Sequence, residues 1–104
     1  MKYKKRIHIA PVGFEVDRIV IPAIENKADK VYLLVHDNKT EDKAGPYIER
    51  VIRELRANKI DSEKVQVNWR DVESITKAAR KLIIDLSGNE IFINISDKIL
   101  NLIS

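Results

Sequence analysis

The 104-residue sequence predicts an α/β fold: a Rossmann-like parallel sheet, connected βαβαβαβ with a short terminal helix and strand order 3-2-1-4. Three observations carry that prediction. Short runs rich in Ile, Val and Leu alternate with longer runs whose apolar residues recur at helical spacing. The clearest strand, Val31-Tyr32-Leu33-Leu34-Val35, is apolar almost without interruption, as suits a parallel strand covered on both faces. Each helical run stands between two strands, which favours right-handed crossovers and parallel neighbours.

The first strand is expected over Arg6–Val12, where Ile7, Ile9 and Val12 are β-formers and Gly13 ends the run. Pro11 donates no ladder hydrogen bond, so it belongs at the strand's end. A helix follows over Asp17–Lys27 with a stripe of Ile19, Val20, Ala23 and Ile24. Pro22 inside it predicts a kink or a late start. The second strand, Lys30–His36, runs into His36-Asp37-Asn38, three polar residues suited to a turn. After a polar loop at Lys39–Lys43, Pro46 fits the first turn of a helix reaching about Asn58. Ile48, Val51, Ile52 and Leu55 give that helix its buried stripe.

The third strand is expected over Glu63–Trp69. Val65, Val67 and Trp69 alternate with Gln66 and Asn68, which suggests an edge strand with one wetter face. Asp71 is placed to cap the next helix, whose stripe is Ile75, Ala79, Leu82, Ile83 and Leu86. Gly88 suits its stop. Glu90–Ile95 forms the fourth strand, and Asp97–Ser104 begins a terminal helix.

Length and composition bound the rest. The chain suffices for one domain, and 44% apolar residues allow a core. Charged residues reach 34%, with no cysteine, a composition common in proteins from hot environments. The net charge of +3 permits an anionic ligand without requiring nucleic acid. Lys2, Lys4, Lys5 and Arg6 could touch phosphates, though a solvated terminus that keeps an edge strand soluble is the simpler reading. Without cysteine there is neither a disulfide framework nor a thiolate metal site. No signal peptide and no run of membrane-span length can be read, so a cytoplasmic protein is expected.

Strand order 3-2-1-4 reverses direction between the first and fourth strands, which opens a crevice at their C-terminal ends. Val12–Glu15 and Ser96–Lys98 are expected to line it, with His36–Asn38 nearby. Gly13 can serve phosphate binding at a helix N-terminus or simply a tight turn. No glycine triplet or P-loop accompanies it, so standard nucleotide cofactors are disfavoured and none is expected. Glu15 and Asp17 can orient a ligand hydroxyl or amine, or complement a helix dipole. His8 reads as packed and hydrogen-bonded within its strand. His36 beside Asp37 is capable of acid–base work, yet no Ser, Cys or second His stands near it in sequence, and no metal set can be assembled around the pair. Trp69 and Arg70 could stack on a base and meet a phosphate, or pack in a core or dimer. Ser96 and Lys98 follow a strand and suit an anion, with an N-cap and a solvated lysine as the alternative.

Ile7–Arg18, Pro22-Ala23-Ile24, Asp29–Asp37 and Gly88–Ser96 together resemble archaeal CARF (CRISPR-associated Rossmann fold) proteins. The similar branch carries a C-terminal winged-helix domain and comprises regulators of transcription. The resemblance implies a dimerising domain that senses cyclic oligoadenylate in antiviral defence, bound across the two-fold at the ends of the first and fourth strands. It places ligand contacts at Gly13, Phe14, Glu15, Ser96 and Lys98. Ser96-Asp97-Lys98 departs from the family by lacking a glycine, which shortens that loop. Relative to the family's pattern, residues 1–104 correspond to a single domain, truncated or minimal.

These readings imply a sensing and dimerisation module, a homodimer or higher oligomer in which Ile99, Leu100, Leu102 and Ile103 pack on a partner chain. Catalysis is not expected. The alternatives are a structural module whose ligand site has decayed and a nuclease acting on the cyclic ligand. Direct DNA binding by this chain is disfavoured, because no helix-turn-helix can be read and the basic residues are spread.

Overall fold

A computed structural model describes residues 5–12, 15–36, 45–68 and 71–94. Seven elements follow one another: β1 (Arg6–Pro11), α1 (Asp17–Glu25), β2 (Lys30–His36), α2 (Gly45–Ala57), β3 (Asp61–Val67), α3 (Val72–Asp85) and β4 (Glu90–Ile93). The strands form one sheet in the order β3-β2-β1-β4, and every pairing is parallel. The expected Rossmann-like arrangement is therefore the observed one. The terminal helix expected over Asp97–Ser104 lies outside the described residues.

The pleat divides the core between two faces. Ala10, Val31, Leu33 and Val35 pack with Ile19, Val20 and Ala23 of α1 and with Ile48, Val51 and Leu55 of α2. Ile7, Ile9, Tyr32, Leu34 and Val67 face the other way, onto Ile75 of α3. The α3 side is the thinner one, since Leu82, Ile83, Leu86 and Ile91 are only partly buried against it. The stripes expected for α2 and α3 hold. In α1, Ile24 departs from its expected stripe and is 40% exposed. It lies at the margin of a nine-residue helix that has α2 on one flank only among the described elements.

Boundaries moved where tertiary pairing outweighed local pattern. β3 begins at Asp61 rather than Glu63, because Lys30 to His36 of β2 offer partners all the way from Asp61 to Val67. β3 is an edge strand, as its alternation suggested. Asp71 caps α3 as expected, its side chain accepting from the Glu73 N–H at 3.0 Å. All three crossovers leave their helix through a left-handed residue, Lys27 (φ 52°), Lys59 (φ 60°) and Gly88 (φ 94°). Only glycine adopts that conformation without steric cost.

Both prolines near the crevice are accommodated by specific partners. Pro11 ends β1 as expected. The Val12 N–H donates to Leu34 of β2, so alternation turns the Pro11 nitrogen toward β4, beyond the last paired residue there, Ile93. Its missing N–H thus costs no ladder bond. Pro22 does not delay α1, which starts at Asp17 and runs through it. The carbonyl that loses its helical donor is Arg18, four residues back. That oxygen accepts instead from Asn94 Nδ2 at 2.8 Å.

Candidate functional site

β1 lies between β2 and β4, so the switch point expected from the strand order exists, and α1 starts beside it. Of the five residues expected to contact a ligand, the structure describes Glu15. Gly13, Phe14, Ser96 and Lys98 lie outside the described residues, as do Asp37, Asn38, Trp69 and Arg70. Glu15 lines an open hollow of about 840 Å³, together with Val16, Asp17, Arg18, Ile21, Pro22, Arg50 and Asn94. This volume is in the range of small-molecule sites, roughly 300–1,000 Å³.

The fold fixes the walls of this hollow. Ile19 and Val20, next to Arg18, are buried against the sheet, and so is Val51, next to Arg50. The two arginines therefore project from helices held by the same core cluster. Asn94 also lines the hollow. Its N–H donates to the Ile9 carbonyl at 2.8 Å and its Nδ2 to the Arg18 carbonyl, so it ties the end of β4 to both β1 and α1. Asp17 stands in the first turn of α1, where a carboxylate complements the helix dipole. Among the described residues, Arg18 and Arg50 form no ion pair, although two carboxylates line the same hollow.

Sequence reasoning did not single out Arg18, Arg50 or the role of Asn94. An exposed arginine on a helix looks like any solvated charge until the helices are placed. Asn94 had one available signal: Pro22 leaves the Arg18 carbonyl needing a donor, and an amide at a strand end can supply it.

His8 lies toward the other end of β1. It is 3% exposed and stacks on Phe92 of β4, with ring centroids 4.7 Å apart. It is packed as expected, but among the described residues its ring has no hydrogen-bond partner. Burial holds its pKa below the usual 6.5, so the imidazole is neutral at pH 7. No group of three or more His, Cys, Asp or Glu that could hold a metal occurs among the described residues. Among them too, no helix is long and apolar enough to cross a membrane.

A family model described as "HFX_2341_N:-like, N-terminal" matches residues 6–99. The chain is also similar to Uncharacterized protein MJ1513 of Methanocaldococcus jannaschii, with 29% identity over 100 residues. That alignment covers 91% of this chain and 30% of the relative, so the chain spans less than a third of the relative's length.

Proposed function

The chain belongs to the family described as "HFX_2341_N:-like, N-terminal", and on that premise we propose that it is a ligand-sensing and dimerisation module of the CARF type, without catalytic activity of its own. Its ligand is a cyclic oligoadenylate, taken at the crevice between the C-terminal ends of β1 and β4. The observation that carries this reading is the hollow lined both by Glu15, which follows β1, and by Asn94, which follows β4. Open α/β sheets place ligands at this position because the neighbouring connections diverge there. The relative in Methanocaldococcus jannaschii fits an archaeal setting, and a cytoplasmic, CRISPR-linked regulator is the corresponding role. The dimerisation half draws support from β4, which lies at an edge of the sheet among the described strands and whose Phe92 is 45% exposed.

Calorimetric titration with cyclic tetra-adenylate and cyclic hexa-adenylate tests the reading. A saturable heat with one of the two is expected. Absence of heat at protein concentrations on the order of a millimolar, where binding weaker than about −4 kcal/mol escapes, overturns it.

A second reading is a structural or interaction module whose ligand site has decayed. Ser96-Asp97-Lys98 favours it, because the glycine that would let backbone approach a phosphate is missing. It predicts an oligomeric mass in light scattering with no response to either ligand. Cleavage of the ligand would show as turnover of labelled cyclic tetra-adenylate that Lys98→Ala abolishes; the expected result is equal background in both proteins.

A further inference from the structure

The hollow is lined by charges of both signs. Glu15 and Asp17 stand at the start of α1, and Arg18 and Arg50 reach the same space from α1 and α2. The start of a helix ordinarily attracts an anion. Here Glu15 and Asp17 line the hollow at that position and weaken its pull on an anion, while Arg18 follows in the same first turn. The arginines offer the opposite. Each guanidinium presents a planar fork of donors matched to phosphate oxygens, and neither fork is engaged by a carboxylate among the described residues. Both stems leave helices fixed by buried neighbours, Ile19 and Val20 beside Arg18 and Val51 beside Arg50. Rigid mounting of this kind is what a recognition site needs.

We propose that Arg18 and Arg50 form the phosphate-reading pair of this hollow, and that Glu15 and Asp17 read hydrogen-bond donors, so that a phosphodiester ligand meets the two guanidinium groups with its phosphate and the two carboxylates with its amino or hydroxyl groups. The assignment deepens the ligand-sensing reading and rests on it for the identity of the ligand. It puts the phosphate on side chains of two helices, Arg18 of α1 and Arg50 of α2.

The test uses the full chain and two probes, cyclic tetra-adenylate and inorganic pyrophosphate. Arg18→Gln and Arg50→Gln each weaken binding of both probes about tenfold or more, the usual consequence of losing a charge-assisted hydrogen bond. Each also flattens the dependence of affinity on salt. Glu15→Gln weakens cyclic tetra-adenylate and leaves pyrophosphate binding unchanged or tighter. Arg56→Gln, in the last turn of α2, is the control and changes neither. Melting curves of the variants report whether the fold is intact; both arginines are exposed, so little change is expected.

The outcomes separate the two claims. Wild type that binds cyclic tetra-adenylate as tightly as both Gln variants keeps the ligand reading and overturns the arginine pair. Pyrophosphate bound through Arg18 and Arg50 without any response to cyclic tetra-adenylate keeps the pair and overturns the ligand. Binding of neither probe overturns both.

Discussion

The two edges of the sheet are built differently. β3 pairs with β2 along seven residues and carries Asp61, Glu63 and Lys64 among its outward groups. Lys30 bridges to Glu63 at 3.3 Å and lies over the Tyr32 ring at 4.8 Å. Charges of this kind keep an edge strand from pairing with another chain. β4 is four residues long, Glu-Ile-Phe-Ile, with one charge and a half-exposed phenylalanine. It is held by polar fastenings at both ends. Asn89 accepts from the Lys5 N–H at 3.2 Å, Arg6 pairs with Glu90 at 3.2 Å, and Asn94 fastens the other end to β1 and α1. Among the described strands, the β3 edge is the one guarded by charge. The β4 side is an attachment held by hydrogen bonds, and it borders the candidate site.

The largest expected effect is on the half of the sheet away from β4. Leu33 is fully buried in the α1–α2 cluster, so Leu33→Ala should cost about 2–5 kcal/mol in urea unfolding. Ile91→Ala, in the half-buried β4, should cost clearly less in the same measurement. Equal costs would mean that β4 is as integral to the core as β2.

Asn94 comes next. Asn94→Ala removes the side-chain donor of the Arg18 carbonyl and should cost about 0.5–1.5 kcal/mol, since water can reach this exposed group. Pro22→Ala restores a backbone N–H in register with that carbonyl. In the Pro22→Ala background the cost of Asn94→Ala should therefore shrink to less than half. A double-mutant cycle that shows simple additivity would break the link between the two residues.

His8 gives a pH signature to the β1–β4 pair. Burial lowers its folded pKa, so in mild acid the unfolded chain binds the proton that the folded chain resists. Stability from this residue is complete above the usual value of 6.5 and declines as pH falls through and below it, with a slope of at most about 1.4 kcal/mol per pH unit. His8→Phe should flatten the urea midpoint between pH 7 and pH 5. An unchanged slope would place the acid sensitivity elsewhere.

Phe92 should matter least to folding. Phe92→Thr keeps a β-former on a half-exposed position and should change stability by under about 1 kcal/mol. The same change should lower the apparent mass in light scattering if the exposed edge serves dimerisation. A mass insensitive to Phe92 would move the dimer contact to another surface.

The order of elements and strand order 3-2-1-4 were legible in the sequence because periodicity and crossover rules depend on local pattern. Boundaries were less legible. The polar start of β3, Asp61-Ser62, carries no strand signal and becomes strand only because β2 extends alongside it. Ile24 counted as core by spacing and is exposed by position. For the candidate site, strand order pointed to the C-terminal ends of β1 and β4, and Glu15 is the expected residue that lines the hollow described there. Arg18, Arg50 and Asn94 were not legible, since each acquires meaning only once α1, α2 and β4 are brought together over residues far apart in sequence. The His8–Phe92 stack is of the same kind, set by the register of β1 on β4.

The most direct test of the account is an amide NMR titration of the chain with cyclic tetra-adenylate. The account predicts saturable shifts gathered at Glu15–Arg18, Arg50 and Asn94, with the β3 edge at Asp61–Val67 unmoved. Shifts that are absent, or that gather on β3, would contradict it.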